Sequence, residues 1–90
     1  MIDCGVGTFS KSDSAINPGT IISKRVTFNK KFNNKPIVMV SWAEYHCNTY
    51  LGTVSIDPRT ITADGFDGIT TLKHADSWKY NWNFYWIAIE

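Results

Sequence analysis

Trp78-Lys79-Tyr80-Asn81-Trp82-Asn83-Phe84-Tyr85-Trp86-Ile87-Ala88 is the stretch on which the reading of this chain turns. Trp78, Tyr80, Trp82, Phe84, Trp86 and Ala88 occupy every second position, with Lys79, Asn81 and Asn83 between them until Tyr85, Ile87 and Ile89 make both faces apolar. Period two over this length is a strand, because successive side chains on a pleated backbone point to opposite faces. A helix would scatter the same rings around its circumference. A lone soluble domain does not expose a second apolar face of this kind cheaply, so the outer face of the strand calls for a partner.

Working back from that strand, Ile37-Val38-Met39-Val40-Ser41-Trp42-Ala43 is again apolar on both faces and reads as a central strand, with Pro36 and the β-branched residues opposing a helix. Tyr50 to Ile56 alternates and ends at Asp57-Pro58; Thr60-Ile61-Thr62 and the turn Asp64-Gly65 then lead to Phe66 as a strand, turn, strand succession. Ile21 to Phe28 is a further, weakly alternating strand, and Asn29 to Pro36 a polar connection. Ile2 to Phe9 is a Gly-rich, strand-like lead-in, followed by a long surface loop from Ser10 through Asn17-Pro18-Gly19. Five or six closely spaced strands and no helix predict an all-β domain, either an antiparallel sandwich or an open barrel.

Composition agrees with that class and narrows the function. Ninety residues make one domain, 1–90, rich in Ile (10), Thr (9) and Val (5), with only two Leu and no Gln. A chain this short buries only about 60 to 65% of its extended surface, so oligomerisation is expected on size alone. With 43% hydrophobic residues and no run near the roughly 20 apolar residues of a membrane helix, membrane insertion is not expected. A net charge of +1 and only two arginines, Arg25 and Arg59, argue against a nucleic-acid partner. Cys4 and Cys47 fit no metal motif and no disulfide framework, although they could pair with each other. The start of the chain lacks the basic and apolar regions of a secretion signal, which predicts either a chain made without a classical signal or an excised domain whose Met1 was added.

No catalytic constellation stands out. His46 and Cys47 are adjacent, so on a strand they face opposite ways, and no nucleophile-elbow, zinc-protease, phosphate-loop or dinucleotide motif is present. His74 with Asp76 or His46 lacks a recognisable third metal ligand. No catalytic residue, metal or cofactor is therefore expected. His74, Asp76, Trp78 and Tyr80 form the more informative group, at the junction before the last strand. Sugars offer C–H patches that stack on flat rings and hydroxyls that need fixed donors and acceptors, and this group supplies both kinds of partner. Trp78 and Tyr80 share a face on the alternation, and the competing reading makes them core or interface residues.

The chain resembles the H-type lectins through Ile2-Asp3-Cys4-Gly5, Val26-Thr27-Phe28, Lys35-Pro36-Ile37-Val38-Met39-Val40-Ser41, Gly65-Phe66, Tyr80 and the ending Trp86-Ile87-Ala88-Ile89-Glu90. These matches run in order along almost the whole chain. The resemblance implies a six-stranded antiparallel β-sandwich, a homotrimer, and binding of N-acetylgalactosamine or related sugars near protomer boundaries. Tyr80 matches a sugar-binding position of the family. Its stacking Trp falls near His74, the neighbouring His near Ala75, the strand-borne Arg at Thr53, and the first-loop Asp near Pro18-Gly19, where this chain is shorter. Cys4 matches a family cysteine whose intrachain partner position holds about Thr70, so the resemblance implies a free Cys4 or one paired with another chain.

The resulting expectation is a non-enzymatic lectin module at the cell surface, the virion surface or outside the cell. Its partners are glycans and its own copies, and its carbohydrate-binding residues are Thr53, His74, Asp76, Trp78 and Tyr80. The alternative is a structural trimeric tip or receptor-binding domain of a larger fibre, such as a phage tail, that keeps the fold without a sugar site.

Overall fold

The structure is a computed structural model that describes residues 1–11, 19–44, 51–73 and 80–90, with Lys11 and Tyr80 described by backbone alone. The described chain is all-β, apart from one short 3-10 turn at Pro58–Thr60. Its strands are β1 (Ile2–Lys11), β2 (Ile21–Thr27), β3 (Ile37–Trp42), β4 (Ser55–Asp57), β5 (Gly65–Thr71) and β6 (Tyr80–Ile89). They form two antiparallel three-stranded sheets, ordered β1-β6-β3 and β2-β5-β4. Among the described residues no helix is long and apolar enough to cross a membrane.

The alternation that defines β6 also builds the core. Trp82, Phe84, Trp86 and Ala88 are buried between the sheets, with Trp86 only 5% exposed. Phe28 packs against Phe32, Phe66 and Trp86 with centroids 4.9, 5.9 and 5.5 Å away, while Phe9 meets Phe84 at 4.8 Å and Trp42 at 5.8 Å. Rings of this size approach the backbone of β1 because Gly5 and Gly7 stand opposite Trp86 and Phe84. A Cβ on Gly5 would lie 2.9 Å from the Trp86 ring, and one on Gly7 would fall on the Phe84 ring. The lead-in is thus a full-length strand whose glycines make room for aromatic residues.

Several sequence expectations shift. Ser10 and Lys11 belong to β1 rather than to the loop, because they continue its ladder opposite Asn81 and Tyr80. The strand expected over Tyr50–Ile56 shrinks to Ser55–Asp57: Leu51 makes only an isolated bridge to Leu72, and Tyr50 lies outside the described residues. The Leu51 side chain is buried while Gly52 hydrogen-bonds Thr71 and accepts from Trp42, so this stretch is held by single contacts, not by a ladder. Strand β3 is an edge strand, and β6 takes the centre of its sheet. The second apolar face of β3 comes from Ile37 and Met39, which point out to solvent at 70% and 51% exposure.

Register aligns the outward side chains of the first sheet into rows. Ile2, Ile89 and Ile37 lie side by side, then Cys4, Ile87 and Met39, then Val6, Tyr85 and Ser41; Thr8 with Asn83 and Ser10 with Asn81 follow towards the other end. One half of this outer face is therefore apolar and the other polar, with Thr8 Oγ1 donating to Asn83 Oδ1 at 2.8 Å. Cys4 is an exposed free thiol within the apolar half. Cys47 lies outside the described residues.

Candidate functional site

Described segments stop at Lys11, Glu44 and Lys73 and resume at Gly19, Leu51 and Tyr80. All six positions gather at one end of the sandwich. Lys11 pairs with Tyr80, Ala43 N donates to Asn83 O, Gly19 N donates to Leu72 O, and Leu51 bridges to Leu72. Trp42 Nε1, donating to Gly52 O at 3.1 Å, ties the two sheets together at that end.

Thr53 is the predicted site residue whose side-chain environment is described. It is exposed just before β4, and its carbonyl accepts a hydrogen bond from Thr70 Oγ1 at 3.2 Å. Beside it is a shallow depression of about 150 Å³ lined by Ile21, Thr53, Ser55, Ile69, Thr70 and Thr71. Cross-strand register builds this lining, because Ile21 stands opposite Thr71 on β5 and Ser55 opposite Ile69. Its side chains are hydroxyls and alkyl groups with no charge. They offer donors, acceptors and C–H surface of the kind a neutral sugar matches.

Tyr80 is described only as the first residue of β6, paired with Lys11. His74, Asp76 and Trp78 lie outside the described residues. The topology nevertheless brings Thr53 to the same end of the sandwich as Lys73 and Tyr80, the residues bordering that segment. Sequence reasoning missed Ile21, Ser55, Ile69 and Thr71 as lining. Their alternation was legible, but which of them share a face across strands depends on register.

The charges on this outer face lie one row away. Asp57 and Asp67 stand directly opposite each other on β4 and β5, a like-charge pair that would repel. Arg59 grips Asp57 through Nε and Nη2 at 3.1 and 3.0 Å, and Arg25 reaches Asp67 at 3.3 Å. Hydrogen bonding from the Arg59 guanidinium holds the Asp57 carboxyl below the usual carboxylate range, and the same contact raises Arg59. These acids are committed to arginines. Among the described residues no group of three or more His, Cys, Asp or Glu could hold a metal ion.

The model of the H-type lectin domain family matches residues 23–89. The recombinant discoidin II of Dictyostelium discoideum is similar over 100% of this chain and 36% of its own, with a TM-score of 0.77 and 20% identity. A second structure of wild-type discoidin II gives a TM-score of 0.68 and 21% identity over 100% of this chain and 37% of that one. The Gp54 tailspike of Acinetobacter baumannii bacteriophage AP22, solved in complex with A. baumannii capsular saccharide, gives a TM-score of 0.66 and 15% identity over 98% of this chain and 16% of its own. This chain thus spans little more than a third of discoidin II and a smaller part of the tailspike. No curated protein sequence matches significantly.

Proposed function

This chain belongs to the H-type lectin domain family, and from that premise we propose that it is a non-enzymatic carbohydrate-binding module acting as a homotrimer. The observation that carries the glycan reading is the family match over residues 23–89, in a fold that brings Thr53 to the same end as the borders of the His74, Asp76 and Trp78 segment. Ligands on this reading are cell-surface glycans with N-acetylgalactosamine or a related sugar at the terminus, held by Thr53, His74, Asp76, Trp78 and Tyr80 near protomer boundaries. The uncharged depression beside Thr53 suits a neutral sugar. Shallow sites bind weakly, and presenting three at once raises avidity without any new contact. Such a module works outside the cell or on a cell or virion surface.

The apolar half of the outer β1-β6-β3 face supports the trimer. Ile2, Val6, Ile37, Met39 and Tyr85 are all exposed there, and a contiguous patch of that kind marks an interaction surface. A second reading, a fibre-tip domain without a sugar site, is favoured by one feature: Thr53 stands where the family resemblance puts an arginine, so the described wall lacks that charge-assisted donor. A glycan array probed with the assembled protein tests the two. Signal that free sugar competes away is the expected result, and silence across a broad array would hand the domain to the fibre-tip reading.

A further inference from the structure

The two seams of the sandwich close differently. On the β3 side Trp42 reaches across to Gly52, ahead of β4, but between β1 and β2 the edges are joined at one end by Asp3 and Asn29. Past that clasp runs a groove of about 360 Å³, towards the small end of ligand-sized cavities. Its β1 bank carries no inward side chain at Gly5 or Gly7, whose Cβ space is taken by Trp86 and Phe84. Cys4 N donates to Asp3 and Cys4 O accepts from Asn29, so the main chain of Cys4 points away from β6. By the alternation of an antiparallel ladder, the amides and carbonyls of Val6 and Thr8 point the same way, into the groove.

The β2 bank carries Lys24. It stands opposite Gly68, on the face that buries Val26, yet it is exposed because β2 is an edge strand. Among the described residues it has no ion pair or hydrogen bond. Two acids on the adjoining strands are already occupied: Asp3 accepts from Cys4 N, Asn29 N and Asn29 Nδ2, and Asp67 is held by Arg25. An inward-facing lysine on an edge also blocks pairing with another chain, and the clasp already fills the hydrogen-bonding positions of Cys4. Strand addition is thereby disfavoured, and a compact anion with many hydroxyls is the better match.

We propose that the β1/β2 groove is a second saccharide subsite, separate from the Thr53 end of the sandwich, that takes a carboxylate-bearing sugar. Its carboxylate would pair with Lys24 Nζ, and its hydroxyls with the groove-facing main-chain groups of Val6 and Thr8. Titrating the isotope-labelled full chain with methyl β-glucuronide, followed by amide chemical shifts, tests this. We expect shifts at Val6, Thr8 and Lys24, and binding at least about tenfold weaker for methyl β-glucoside, which lacks the carboxylate. Lys24→Gln should cost a similar factor, Lys24→Arg should retain binding, and neither should alter the glycan-array response at the Thr53 end. Undiminished glucuronide binding by Lys24→Gln would overturn the proposal. So would identical shifts with acetate at equal concentration, or shifts confined to Thr53 and Thr71. Because the two readouts concern different ends of the fold, a silent array leaves this result interpretable.

Discussion

Asp3 shows how a single side chain can hold an edge. Burial would raise its carboxyl, but hydrogen bonds from the Asn29 side chain and from the backbone amides of Asn29, Cys4 and Lys30 outweigh that and keep it below the ordinary carboxylate value. A group whose folded pKa is depressed contributes stability at pH values above its unfolded pKa, about 3.9 for Asp, and loses it as pH falls through the folded value. Asp3→Asn should therefore lower the urea midpoint at pH 7, and the gap from wild type should close on acidification towards pH 2. A gap that stayed constant across that range would show that the carboxylate charge contributes nothing to the clasp.

Strand β6 depends on the chain it lies beside. Its large rings sit over Gly5 and Gly7 of β1, so the two strands are complementary in volume as well as in ladder hydrogen bonds. Gly7→Ala inserts a methyl group where the Phe84 ring lies, and overpacking of this kind costs roughly 1 to 3 kcal/mol. Trp86→Ala makes the opposite error: it empties a site flanked by Phe28 and Phe66, with an expected loss of about 3 to 5 kcal/mol. Chemical denaturation of both variants checks the pair. If Gly7→Ala were neutral, β1 would have room that its register with Phe84 does not allow.

Taken as a whole, the sandwich divides its work between its ends and its faces. The borders of the described segments collect at one end with Thr53, the charged Arg59–Asp57 and Arg25–Asp67 pairs sit on the outer face of the second sheet, and the apolar rows sit on the outer face of the first. Placing a charge in those rows separates assembly from folding. On the proposed trimer, Met39→Glu, at a position 51% exposed, should leave the monomer folded yet shift sedimentation equilibrium towards the 10.2 kDa chain. A Met39→Glu protein still trimeric at micromolar concentration would move the interface to another face.

From Tyr80 to Ala88 the period of two announced the strand that β6 forms, because alternation is a local property of the backbone; Trp78 and Lys79, where the pattern begins, lie outside the described residues. The Ile21 strand and the strand after Asp64-Gly65 were legible for the same reason. The brief β4, the edge position of β3 and the neutral lining around Thr53 were not, since each depends on which strands become neighbours and in what register. Hydrophobic pattern tells a side chain which face to take. Only the packed pair of sheets decides what stands across from it, and that is why Lys24, an ordinary polar residue in the sequence, lines an open groove in the fold.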